Sequence, residues 1–345
     1  MLNTAQCEVS ELFFNDLLQK SGREHRLLRI TEQTENVFDF ARSVAAGLAR
    51  RPRRLDCRFL YDADGSELYE CICKQPEYYP TRIEAAILAQ KSPAICRRTG
   101  PVTLFELGSG CSVKTDYLLA AYTSVHRQPI HYVPIDVSAS ALQQAMNDIT
   151  SRYPTTRVTG INGTYEDAFR FFETASPAMI IFLGSTIGNL DEREAHRFWQ
   201  AISAHIAAGD YFLLGVDLVK ESHLLEAAYD DAAGVTASFT RNLFHRMNRE
   251  LGARLDPGAI EHIARYNSQR ERVEIYGRFN TAQTVHVGPL DQCFEITAGE
   301  EILIEISRKF RPDALPDYFA DYGLEVQKTY TDEQQWFALL LLQRT

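Results

Sequence analysis

The run Leu104-Phe105-Glu106-Leu107-Gly108-Ser109-Gly110-Cys111-Ser112-Val113-Lys114 joins an apolar stretch to two glycines and then to a helix-like segment, Thr115 to Ala121. A strand, a glycine turn and a helix in that order let a nucleoside approach bare backbone. Val113 stands where a dinucleotide fingerprint needs a small residue, so the loop suits an adenosine without a diphosphate better. About twenty-odd residues on, Val133-Pro134-Ile135-Asp136 reads as a second strand ending in a carboxylate placed to accept from ribose hydroxyls. Gly108, Ser109, Gly110 and Asp136 together suggest S-adenosylmethionine as cofactor, although a glycine pair alone also makes an ordinary strand-to-helix turn.

A second set of polar residues could meet a substrate. In Glu301-Ile302-Leu303-Ile304-Glu305-Ile306-Ser307 the isoleucines take alternate positions, which puts Glu305 and Ser307 on one face of a strand. That pair could hydrogen-bond a heteroaromatic ring with two nitrogens, and the same alternation fits a solvated outer face. The apolar run Ala178 to Leu183 ends in Gly184-Ser185-Thr186-Ile187-Gly188-Asn189-Leu190, at the carboxyl edge where open parallel sheets bind ligands. Asn189 there could donate to a carboxylate or simply shape the turn. Tyr78, beside Tyr79 in a proline-bracketed loop, is either a pocket hydroxyl or a packed aromatic. Tyr229 next to Asp230 would by itself be structural. No histidine pair has metal spacing, and no Gly-x-Ser-x-Gly element supplies a nucleophile.

The elements that must carry these residues follow from periodicity. Helical spacing marks Glu35 to Ala49; a turn over 59–66 precedes a helix from Leu68 to Cys73, and Thr81 can cap a helix over Arg82 to Gln90. A helix around Val9 to Lys20 is also compatible with the pattern. Strands are expected at 103–108, 131–136, 157–161, 178–184 and 210–217, alternating with helices as an open parallel sheet requires. Helices over 221–230, 238–251 and 258–264 then lead into strand-like runs at 272–279, 283–288, 293–297 and 300–308, an antiparallel meander. A helix over 310–323 and strands at 324–331 and 336–343 close the chain. The fold class is α/β with an inserted α+β unit.

With 345 residues and 45% hydrophobic content the chain is an ordinary globular protein of two domains. Its net charge of −10 argues against a nucleic-acid partner. The basic cluster Arg50-Arg51-Pro52-Arg53-Arg54 reads as a solvated helix end. Seven scattered cysteines point to a reducing, cytoplasmic setting, and neither a signal peptide nor a membrane-length apolar stretch is visible.

Several stretches, taken together, resemble the L-histidine Nα-methyltransferases of ergothioneine biosynthesis. They are Tyr61-Asp62, Pro76 to Arg82, Glu106 to Gly110, Phe182 to Leu190, Asp217 to Lys220, Ala228 to Ala237, Asn248 to Leu251 and Lys309 to Pro312. The resemblance implies a class I methyltransferase (Rossmann-like) sheet, with S-adenosylmethionine methylating the α-amino group of L-histidine three times to hercynine. It implies that Gly108, Lys114 and Asp136 contact the cofactor, that Asn189 and Tyr229 hold the substrate carboxylate, that Tyr78, Glu305 and Ser307 read the imidazole, and that Tyr61 sits near the amino group. Thr164-Tyr165 replaces the usual acidic residue and phenylalanine beside the adenine, and Ile275 replaces a methionine of the pocket wall.

On this reading residues 83–218 and 310–345 form the cofactor domain, 35–82 and 219–309 the substrate domain, and 1–34 a leader without assigned role. The expected partner is a small-molecule substrate, with no metal, nucleic acid or membrane, and the protein is expected to be a monomer. Two alternatives remain open: an N-methyltransferase of the same fold acting on another aromatic amino acid or a histidine analogue, and a catalytically silent amino-acid-binding protein.

Overall fold

Short apolar runs alternate with amphipathic helices through the first two thirds of the chain. The computed structural model describes residues 26–29, 37–110, 112–126 and 129–345. Its strands are β1 (Arg26–Arg29), β2 (Thr103–Leu107), β3 (His131–Asp136), β4 (Arg157–Asn162), β5 (Ala178–Phe182), β6 (Tyr211–Asp217), β7 (Ile260–Asn267), β8 (Arg272–Phe279), β9 (Gln283–Val287), β10 (Gln292–Ile296), β11 (Glu301–Arg308), β12 (Leu324–Thr331) and β13 (Phe337–Arg344). The helices are α1 (Val37–Ala49), α2 (Ala63–Ile72), α3 (Tyr79–Thr99), α4 (Asp116–His126), α5 (Ala139–Arg152), α6 (Tyr165–Phe169), α7 (Glu192–His205), α8 (Ser222–Tyr229), α9 (Val235–Leu251) and α10 (Leu315–Ala320).

An eight-stranded sheet has the order β1-β4-β3-β2-β5-β6-β13-β12. The first six strands pair in parallel, and β13 runs antiparallel between β6 and β12. This is the expected α/β sheet, including its reversed edge. All five residues of β5 are buried, as a strand covered by helices on both faces requires. Neighbouring residues of β2 feed opposite cores: Phe105 packs with Val133 and Phe182, Leu104 with Tyr132 and Ile181. The strand order reverses at β2 and β5, so a crevice opens beyond their carboxyl ends.

The second unit has its own core, in which Phe40, Phe59, Phe244 and Phe279 are buried. There β8 pairs with both β7 and β11, while β9 and β10 form a separate hairpin. The expected single meander is therefore two sheets, because β8 skips the hairpin that follows it. The helix expected over 258–264 is also replaced. Residues 260–267 form β7, whose eight residues all pair with β8, and the alternating burial of Ile260 and His262 fits a sheet rather than a helix.

Other differences are local. Asp62 caps α2, which begins at Ala63, so the supposed turn is a helix start. Pro80 occupies the first turn of α3, making Thr81 a helical residue and not its cap. Only Leu315–Ala320 of the expected 310–323 helix is helical. The basic cluster is partly built in: Arg53 is 5% exposed, donates to the carbonyls of Leu48 and Glu295 and pairs with Glu300, while Arg54 pairs with Asp191 and Glu194. The segment expected as a leader contributes β1 at the sheet edge, and a helix at 9–20 falls outside the described residues.

Candidate functional site

Strands β2 and β3 bring the glycine turn against Asp136. The amides of Gly108 and Ser109 donate to the Ile135 carbonyl at 2.9 and 3.1 Å, and the Asp136 carboxylate accepts from the amides of Gly110 and Ser138, each at 2.9 Å. Gly108 has φ +66°, and a Cβ there would lie 2.8 Å from the Tyr165 hydroxyl. A side chain there would meet both a strained positive φ and the Tyr165 hydroxyl. Ser109 is 6% exposed, and its Oγ is buried without a hydrogen-bond partner among the described residues. An orphaned hydroxyl in a loop of open backbone fits a polar ligand such as the nucleoside and amino-acid parts of S-adenosylmethionine. Thr164 caps α6, its hydroxyl exchanging hydrogen bonds with Asp167 at 2.8 and 3.3 Å. Tyr165 packs edge-on against Phe182 with ring centroids 5.4 Å apart.

Lys114 pairs with the buried carboxylate of Glu84 on α3. Glu84 also accepts from the Gly184 amide at 2.8 and 3.0 Å. One carboxylate thus ties the glycine turn after β2 to the loop after β5.

Beyond Gly184 lies a cleft enclosing about 490 Å³, mouth included, lined by Tyr61, Tyr78, Gly184, Asn189, Tyr229, Glu305 and Ser307. Ser185, Thr186 and Thr236, from the marked stretches, and Tyr69, Ile72 and Phe239, which no motif marks, complete its wall. The period-two apolar pattern of β11 turns Glu305 and Ser307 inward, onto the face opposite Ile304 and Ile306. The loop after β5 reaches that strand because Gly188 has no side chain: a Cβ there would be 2.9 Å from the Arg308 carbonyl oxygen. Asn189 Nδ2 then donates to Glu305 Oε1 at 3.2 Å. Burial pushes the Glu305 carboxyl up to about 7, with Lys309 and the Asn189 hydrogen bond pulling the other way. Ile275 is Glu305's partner in the β8–β11 register and is 2% exposed, backing the cleft without lining it. Tyr61, Tyr69 and Phe239 form an aromatic wall, with Tyr61 at 5.6 Å from Tyr69 and 5.3 Å from Phe239.

Behind the cleft is a buried charge cluster. Lys309 Nζ donates to Tyr229 Oη at 2.9 Å and Ser307 Oγ at 2.8 Å and pairs with Asp217 Oδ2 at 2.8 Å. Tyr229 and Ser307 share a hydrogen bond of 2.7 Å. Lys220 holds the other side of Asp217 at 2.5 Å, with Tyr79 bonded to both. Burial alone would raise the Asp217 carboxyl, yet the two ammonium groups keep it below its usual value. Burial opposes the charge on Lys309 too, but Asp217 raises it to about 12, whereas burial prevails at Lys220 and lowers it to about 8.

A family profile described as a histidine-specific methyltransferase, SAM-dependent, matches residues 40–344. The chain is 42% identical over 303 residues to a histidine N-alpha-methyltransferase of Mycolicibacterium smegmatis, covering 88% of this chain and 94% of that protein. Ergothioneine biosynthesis protein 1 of Schizosaccharomyces pombe is 29% identical over 269 residues, 74% of this chain and 34% of that one. The 4-dimethylallyltryptophan N-methyltransferase easF of Claviceps purpurea is 26% identical over 314 residues, 84% of this chain and 90% of that one.

Proposed function

The chain belongs to the histidine-specific, S-adenosylmethionine-dependent methyltransferases, and we propose that it methylates the α-amino nitrogen of L-histidine, three times, to give hercynine. What supports the assignment of the site is convergence: residues as far apart as Tyr61 and Ser307 line one cleft, which opens where β5 ends beside the glycine turn. Gly108, Ser109, Gly110 and Asp136 would hold the cofactor, with Tyr165 above Gly108. Bound there, S-adenosylmethionine would supply its sulfonium methyl, the nitrogen–carbon bond forming as the sulfur–carbon bond breaks; the first two products must shed a proton before the next transfer, and the third, a quaternary ammonium, has none to lose.

The protein's share is placement. Asn189 and Tyr229 take the substrate carboxylate, Glu305 and Ser307 the imidazole, and Tyr61 stands by the amine. Gripping both ends fixes the nitrogen between them, and such alignment contributes on the order of several kcal/mol. The aromatic wall excludes water, and no strong base is needed because a neutral amine is already a nucleophile. In this proposal residues 83–218 and 310–345 carry the cofactor and 35–82 with 219–309 the substrate.

Mass spectrometry of a reaction with histidine and S-adenosylmethionine tests the reading. Products carrying one, two and then three added methyl groups are expected, and unmodified histidine alone would refute it. A tryptophan-type substrate is the second reading, favoured by Ile275 in place of a methionine and by the easF relative. Turnover compared on histidine, dimethylhistidine and tryptophan separates the two.

A further inference from the structure

Resting on the reading of Tyr229 as a carboxylate contact, we propose that Lys309 is a positioning residue that forces the hydrogen-bonded Tyr229–Ser307 pair to turn its one remaining hydroxyl proton into the cleft, making that wall selective for an anionic group on the substrate. The proton count carries this. An ammonium has three N–H groups, and those of Lys309 meet Asp217, Tyr229 and Ser307, all within 2.9 Å. Each hydroxyl therefore already accepts from Lys309. Their mutual hydrogen bond at 2.7 Å uses one of the two hydroxyl protons. The proton left over finds no acceptor among the described residues, and both side chains border the cleft.

The couple is thus set as a donor toward any ligand, whichever way the shared bond runs. Lys309 and Asp217 are both 0% exposed, so water does not compete for their hydrogen bonds. Asp217 is held between Lys309 and Lys220, and the Asp332 carboxylate also acts on Lys220. The Lys309 ammonium lies directly behind the two hydroxyls and favours an anion in front of them. Glu305 on the same strand supplies the opposite sign elsewhere in the cleft. An amino acid presenting its carboxylate to this wall is matched in polarity.

The test compares histidine with histidinamide, which keeps the ring and the amine and loses the negative charge. Wild-type protein should prefer histidine in kcat/KM, and Lys309→Met should cut that preference by about tenfold or more, the scale of a hydrogen bond to a charged group. Lys309→Arg should restore part of the preference, and S-adenosylmethionine affinity should stay unchanged. Because Lys309→Met leaves Asp217 short of a partner, the double variant Asp217→Asn/Lys309→Met removes the buried pair together and should show the same reduced preference in a stable fold. Tyr229→Phe, which leaves the ion pair in place, should also reduce it. A wild-type preference retained in these variants, or equal losses on both compounds, would overturn the proposal. Wild-type protein that fails to methylate histidine would instead refute the functional reading itself.

Discussion

Glu305→Gln isolates a charge without changing a shape. In the empty cleft the Glu305 carboxyl lies at about 7, against 4.5 ordinarily, because burial penalises its ionised form. That difference corresponds to about 3 kcal/mol, an upper figure for a side chain that keeps some solvent contact. A ligand N–H donated to the carboxylate recovers part of it, since hydrogen bonds to charged groups contribute about 1.5–3 kcal/mol, or roughly 10- to 150-fold in affinity. Glutamine still offers a neutral oxygen, so histidine affinity should fall about tenfold in Glu305→Gln and nearer a hundredfold in Glu305→Ala. Wild-type affinity should climb as pH rises through about 7 and the carboxylate ionises, and the glutamine variant should lack that step. Titration of the free imidazole is common to both proteins, so their difference reports Glu305 alone. Without ligand the linkage has the opposite sign. The folded carboxyl binds its proton more tightly than the unfolded one, so this contribution to stability is complete below pH 4.5 and lost as pH rises through about 7. Isothermal titration with histidine across that range, with S-adenosylmethionine affinity measured separately, decides the matter. Wild-type histidine affinity and pH step in Glu305→Gln, or equal loss of both affinities, would refute the assignment of Glu305 to substrate.

Gly108→Ala should weaken S-adenosylmethionine binding by about tenfold through a strained positive φ and the 2.8 Å contact with Tyr165. Tyr165→Phe in the same chain should recover only the part due to the contact, as read by calorimetry. Glu84→Gln breaks the tie between Lys114 and the Gly184 loop, so the affinities for cofactor and histidine should fall together, with a melting temperature lowered by several degrees. Loss of only one affinity would contradict that coupling. Arg54→Ala, by contrast, removes partly exposed ion pairs to Asp191 and Glu194 and should cost about 1 kcal/mol or less in urea unfolding.

The parallel sheet was legible because its signals are local: a five-residue apolar run, a glycine pair, a carboxylate at a strand end. Alternation along 301–307 likewise marked Glu305 and Ser307 before any contact was known. Gly258 to Ala264 misled because charged and polar residues break up the alternation of a strand that has one buried face, and only its pairing with β8 reveals it. The buried charges Glu84, Asp217, Lys220 and Lys309 carry no periodic signature, since their burial arises from elements far apart in the chain. Arg53 is the same case at the surface of the second unit, where a run of arginines suggests solvent and the fold encloses one of them. Tyr69 and Phe239 belong to amphipathic helices, and nothing in such a pattern distinguishes a residue facing a cavity from one facing a core.

Gly188 leaves no slack where the loop after β5 meets β11. Asn189 and Glu305 are consequently held in one fixed relation, in the manner of two teeth cut on the same comb. A side chain at 188 would part those teeth, so Gly188→Ala should disturb the substrate end of the cleft while leaving the glycine turn after β2 as it was.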